Sequence, residues 1–147
     1  MPPWLTQAAI RVLDRLAQRF LPPDPRPAHQ RTGQKGEEEA YFHLRRLGYV
    51  MVARNFRSPR RRGEIDLIGW DGDVLCFIEV KTRSTRVVKP AEAAVDRDKR
   101  RDLGAVAHEY LRHLRNIPQW RFDIVSVYHD ETSSQPSFEL FKNAGRL

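Results

Sequence analysis

Apolar and polar positions follow two periods along this chain, and the changes of period divide it into elements. Leu5, Ala9, Val12, Leu16 and Phe20 recur at helical spacing, with Arg11, Arg15 and Arg19 beside the stripe, which predicts a basic amphipathic helix over Leu5 to Leu21. It reads as a helix docked on the domain or on a second copy; a membrane-surface role is weaker, because Gln7, Asp14 and Gln18 share its polar face. Pro22, Pro23, Pro25 and Pro27 then impose an extended linker. Residues 1–31 are therefore read as an appendage and 32–147 as the domain.

A second helix is expected from Gly33 or Gly36 to Leu47, with Ala40, Tyr41, Leu44 and Leu47 on its buried face and Gly48 placed to end it. Val50 to Arg57 reads as a strand. Gly63 to Gly69 and Asp73 to Lys81 read as two more, joined through Asp71-Gly72, a strong hairpin signal. Pro90 opens a long helix in which Leu103, Val106, Ala107, Tyr110, Leu111 and Leu114 repeat at helical spacing, and Asn116 to Pro118 breaks it. Trp120 to Tyr128 is a further strand, and Ser137 to Lys142 can pair with it. The order α-β-β-β-α-β predicts an α/β domain with a mixed central sheet flanked by helices.

Most charges fall on solvated faces, but a few do not. With Asp71-Gly72 as the hairpin loop, Asp66 faces Phe77 and is the diagonal neighbour of Glu79, at about 7–8 Å. Alternation puts Phe77, Glu79 and Lys81 on that same face, and Leu67, Cys76, Ile78 and Val80 on the other. Glu64 faces Glu79 in this register and is a candidate for a second ion. Glu37 lies on the apolar stripe of the second helix, in its expected first turn, where the helix dipole tolerates a carboxylate. Lys99 precedes Leu103 and Val106 on the stripe of the long helix. Burying such charges without partners costs several kcal/mol, so each needs a counter-charge, a metal or a ligand. Three acids and a lysine suit a hard divalent cation such as Mg²⁺ or Mn²⁺, which prefers carboxylate oxygen and bridges to phosphate. The alternative is a structural ion pair of Glu79 with Lys81, plus a helix glutamate near solvent.

The chain has 147 residues, 26 Lys and Arg against 19 Asp and Glu, and a formal charge of +7. The excess points to a polyanionic partner, most often nucleic acid. Arg54, Arg57, Arg60, Arg61 and Arg62 cluster before Asp66; Arg83, Arg86 and Lys89 follow Lys81; Arg97, Lys99, Arg100 and Arg101 open the long helix. Around one cleft they would track phosphates without reading bases. Trp70 near the hairpin tip reads as a packing residue, with base stacking as the alternative. A single cysteine, Cys76, excludes an intrachain disulfide and a Cys-built zinc site. Without a signal-like start or an 18-residue apolar run, the expectation is a cytoplasmic protein with no stable membrane association. His108-Glu109 and His113 mimic a zinc-protease helix, but the histidines are five apart and face differently. No phosphate-loop, dinucleotide or nucleophile-elbow motif is legible.

Gly63-Glu64-Ile65-Asp66-Leu67-Ile68 followed by Phe77-Ile78-Glu79-Val80-Lys81-Thr82-Arg83 resembles the D…ExK signature of the PD-(D/E)XK nuclease superfamily. With Gly33-Gln34-Lys35-Gly36-Glu37, Arg54-Asn55-Phe56-Arg57 and Arg121-Phe122-Asp123-Ile124-Val125, the resemblance narrows to the YraN family, whose members look like Holliday-junction resolvases in core. It implies a restriction-endonuclease-like fold. Carried over by position, it implies Asp66 and Glu79 as metal ligands, Lys81 as the catalytic lysine, Glu37 as the helix carboxylate beside the metal, and Lys99 as a helix lysine. The implied activity is Mg²⁺- or Mn²⁺-dependent hydrolysis of phosphodiester bonds in DNA, branched or damaged. Resolvase-like nucleases often dimerise, so a homodimer belongs to the same expectation. The alternative is a non-catalytic nucleic-acid-binding module that keeps the fold.

Overall fold

The computed structural model describes residues 27–83 and 97–145. The helix expected over Leu5 to Leu21, its proline linker as far as Arg26, the opening at Pro90, and Arg86 and Lys89 lie outside the described residues. Helix α1 (Ala28–Arg46) leads into strands β1 (Val50–Phe56), β2 (Ile65–Asp71) and β3 (Val74–Arg83); helix α2 (Arg97–Arg112) precedes β4 (Gln119–Tyr128) and β5 (Ser137–Phe141).

Helix α1 starts several residues before the expected Gly33 or Gly36. Pro27 takes the N-cap position, with φ −55° and ψ 148°, so the last proline of the linker is what launches the helix. This corrects the placement of Glu37, which stands in the middle of α1 and not in its first turn, beyond the reach of the dipole argument. The helix ends as Gly48 predicts: Gly48 takes φ 96°, its N–H donates to the Arg45 carbonyl at 3.1 Å, and the Tyr49 N–H donates to Leu44 at 3.0 Å. These two bonds form a Schellman motif.

The five strands form one sheet in the order β1-β2-β3-β4-β5. Neighbours are antiparallel except β3 and β4, which run parallel and are the pair joined through α2. The sheet is mixed, as the alternation of elements requires. Two helical layers cover it. On one face Ile65, Ile68, Leu75, Phe77, Phe122 and Ile124 pack on Leu103, Val106, Ala107 and Leu111 of α2, with Trp70 against the edge of this core. On the other, Leu67, Cys76, Ile78, Val125 and Val127 pack on Ala40 and Leu44 of α1 and on Tyr49. The architecture is a three-layer α/β fold compatible with a restriction-endonuclease-like core.

The hairpin corrects one register. Asp71 pairs with Val74, so the loop is Gly72-Asp73 and not Asp71-Gly72. Gly72 takes φ 59° at the first loop position, where a type II′ turn uses glycine. The slip is two residues, which preserves the side-chain parity of the strands. Among the described residues no helix is long and apolar enough to cross a membrane.

Candidate active site

Strands β2 and β3 carry the acids together and then part. Their paired register ends at Leu67 opposite Ile78. Continued by one step, it sets Asp66 directly across from Glu79, where the sequence had suggested a diagonal. The strands separate at this point, and the Asp66 side chain takes over the ladder: its Oδ2 accepts the Val80 N–H at 2.8 Å.

Glu79 lies on the α2 face behind Phe77 and is only 4% exposed. A buried carboxylate needs cations, and two are supplied. Lys81, two residues on along β3, places Nζ 2.8 Å from Glu79 Oε1, and Lys99 from the start of α2 reaches the same oxygen. Burial pulls the Lys99 ammonium down, but the Glu79 hydrogen bond and negative charge outweigh it and hold its pKa above the ordinary lysine range. Asp66 is the group in conflict. Burial, joined by the negative charges of Glu79 and Glu37, pushes its carboxyl up to about 7, against the Val80 hydrogen bond and the Lys99 charge. Ser126 stands opposite Lys81 on β4, its hydroxyl buried and without a hydrogen-bond partner among the described residues.

Glu37 approaches from α1, the opposite layer, and its Oε2 accepts from Asn55 Nδ2 at 2.9 Å. Glu64 precedes β2 and does not face Glu79. The two-residue slip moves it along the strand, and its carboxylate is held by Asn55 at 2.7 Å and by Arg57. The second-ion reading of Glu64 is thereby corrected.

The basic residues spread over several surfaces. Arg54 stacks over the Tyr41 ring at 5.1 Å, on the α1 side of the sheet. Arg60, Arg61 and Arg62 are exposed in the loop before β2, and Arg83 ends β3 two residues beyond Lys81. Arg57 and Arg60 line a pocket of about 380 Å³ with Arg112 and His113 from the end of α2. Arg100 lies half-buried beside Gly145, whose added Cβ would meet its guanidinium at 3.3 Å. His108 accepts no zinc-protease role: its Nδ1 is hydrogen-bonded to the Gly104 carbonyl at 2.7 Å.

The donor set fits a hard divalent cation. Asp66 and Glu79 offer only carboxylate oxygen, and Glu37 is close enough for its charge to act on Asp66. Among the described residues no three His, Cys, Asp or Glu side chains are gathered into one ready cage.

Two residues carry weight here that sequence reasoning left without a role. Asn55 sits between two acids with φ 48°, which spacing alone does not reveal. Asp123 is fully buried in β4, and its signal was present: an acid between the apolar Phe122 and Ile124, two residues from Arg121 in the same strand.

The model of "Uncharacterised protein family UPF0102" matches residues 36–127. A UPF0102 protein of Koribacter versatilis (strain Ellin345) is 52% identical over 139 residues, covering 95% of this chain and 93% of its own. One from Solibacter usitatus (strain Ellin6076) is 42% identical over 137 residues, covering 91% and 95%. Another, from Chlorobaculum tepidum, is 42% identical over 103 residues, covering 68% and 77%. The matched span runs from the glycine before Glu37 to the penultimate residue of β4 and so contains the acids, both lysines and the strands β1 to β3; the chain belongs to the UPF0102 family, which is the YraN family.

Proposed function

We propose that this protein is a cytoplasmic, Mg²⁺- or Mn²⁺-dependent phosphodiesterase that cleaves DNA, with branched or damaged DNA as its preferred form. The observation that carries the reading is the meeting of Asp66, Glu79 and Lys81 on one face where β2 and β3 part. Asp66 and Glu79 hold the cation and Glu37 adds the third negative charge. The cation, when bound, supplies Lewis acidity toward a phosphoryl oxygen and a more acidic water. It would also offset the burial and the neighbouring negative charges that together keep the Asp66 proton on. Lys81, held by Glu79 at 2.8 Å, is oriented to place positive charge beside the phosphorane-like transition state. Lys99 stands at the mouth of α2, ready to meet a phosphate. Arg57, Arg60, Arg61 and Arg62, with Arg83 and Arg100, contact the backbone; Arg54 does so from the α1 side.

The test is cleavage of branched and linear DNA across a Mg²⁺ or Mn²⁺ titration, with wild type and Lys81→Ala side by side. Wild type is expected to cut. Lys81→Ala should lose about 10²–10³ in rate, the scale of one lost charge-stabilising donor, while binding DNA with nearly the same Kd. Wild type that binds DNA and cuts no substrate with either metal overturns the enzyme reading.

One observation favours a second reading. Glu79 already contacts two ammonium groups, so its charge is matched without a metal. A binding module that keeps the fold would hold DNA with metal-independent affinity, and the same titration separates the two.

A further inference from the structure

We propose that Asn55 is a positioning residue that aims the Glu37 carboxylate at the metal site; the inference rests on the metal-dependent reading above. Asn55 is the penultimate residue of β1 and takes φ 48°, in the left-handed region that most side chains avoid and asparagine tolerates. Its side-chain amide reaches two acids outside the strand, Glu37 and Glu64. The amide nitrogen carries two hydrogens, and both are used: one on Glu37 Oε2 at 2.9 Å, the other on Glu64 Oε1 at 2.7 Å. A nitrogen set between two carboxylates can only donate, so the orientation of the amide is fixed by its neighbours.

The bridge is anchored from behind. Glu64 is gripped by Arg57, two residues from Asn55, so the chain of bonds runs from Arg57 through Glu64 and Asn55 to Glu37. It ties α1 to the end of β1 and to the residue before β2, the strand that carries Asp66. The choice of a neutral donor matters. An arginine or lysine touching Glu37 would cancel the charge that a cation needs, whereas an amide orients the carboxylate and leaves that charge intact. Groups that orient a ligand from outside the metal's own coordination shell typically change metal affinity 10–100-fold when removed.

The experiment is Mn²⁺ binding by calorimetry to the full chain without DNA, using wild type, Asn55→Gly, Glu37→Gln and the double variant. Glycine keeps the left-handed backbone and removes only the amide. Asn55→Gly should melt near wild type without metal and bind Mn²⁺ 10–100-fold more weakly. In the Glu37→Gln background the same change should cost nothing further, since its effect acts through Glu37. Asn55→Ser, whose hydroxyl is too short to hold both acids, serves the same test if the glycine variant does not fold. Wild-type affinity in the Asn55 variants, or an equal loss with and without Glu37, overturns the proposal. Absence of Mn²⁺ binding by wild type overturns the metal reading itself, and this inference with it.

Discussion

The central strands carry a polar cluster at each end, and the two are built on opposite rules. At the hairpin end, on the α1 face, Arg121 donates from Nε to Asp123 at 2.8 and 3.0 Å and from Nη2 to Asp71 at 2.6 Å and to the Tyr49 hydroxyl at 3.0 Å. Lys142 adds a bond to Asp71 at 2.8 Å, and the Asn143 N–H caps Asp123 at 2.8 Å. Two acids meet two cations. The Arg121 and then the Lys142 hydrogen bonds draw the Asp71 carboxyl down to about 2. Burial works against the Arg121 guanidinium, but Asp123 and Asp71 outweigh it and hold its pKa above the arginine range. At the other end both lysines are taken up by Glu79, while burial and the Glu79 and Glu37 charges push the Asp66 carboxyl up to about 7. A network that builds structure satisfies its charges, while one kept for a ligand leaves a group in conflict until the ligand arrives.

The largest test of that contrast is a pair of deletions. Asp123→Ala leaves Arg121, 17% exposed, without its buried partner, and the expected loss is about 3–5 kcal/mol by urea unfolding. Asp66→Asn should leave metal-free stability unchanged or raise it, because it removes a charge that burial and then the Glu79 and Glu37 carboxylates disfavour, and should abolish cleavage. Equal destabilisation by both variants would make the two clusters structural alike.

A second test uses pH, and the two clusters carry opposite signs. An unfolded Asp titrates near 3.8 and native Asp66 near 7, so between these values the native state holds the extra proton. Metal-free stability should therefore fall as pH rises from about 4 to 7, by at most about 4 kcal/mol at roughly 1.4 kcal/mol per pH unit. The contribution of Asp71 runs the other way: present in full above its ordinary value, it is lost as pH falls toward 2. Unfolding curves at several pH values, for wild type and Asp66→Asn, read both. The upper slope should flatten in Asp66→Asn and the acid limb should remain. A slope unchanged by the substitution assigns it to another group and removes the contrast.

Parts of this arrangement are legible in the sequence for physical reasons that can be named. Side-chain parity survives a misread turn, so Asp66, Glu79 and Lys81 share a face whether the loop is Asp71-Gly72 or Gly72-Asp73; only their spacing changes. Helix α1 announces its end through Gly48 but not its start, because Pro27 serves equally as linker and as N-cap. The hairpin-end cluster is the least legible. Arg121 and Asp123 are neighbours in β4, yet their link to Asp71 exists only because β3 and β4 run parallel in one register. The Glu64 pairing is likewise hidden, since it depends on the left-handed turn at Asn55.

The smallest expected effect concerns how the acid-rich end is assembled. Gly36 brings α1 against β3 with no room to spare: a Cβ there would lie 2.0 Å from Thr82 Oγ1 and 3.2 Å from Thr82 Cβ. The hydroxyl could rotate away, but Thr82 Cβ is fixed to the strand, so part of the strain must be taken up by moving the helix. Gly36→Ala should cost about 1–3 kcal/mol, the usual range for forcing a methyl group into a packed contact. Because Glu37 is the next residue, the shift should also weaken Mn²⁺ binding. The cluster around Arg121 lies at the far end of the strands and should not respond, which an Arg121 Nε resonance can follow by NMR. Loss of stability with Mn²⁺ affinity intact would show that α1 holds the sheet without helping to place the third carboxylate. The acid-rich end would then be a feature of β2 and β3 alone.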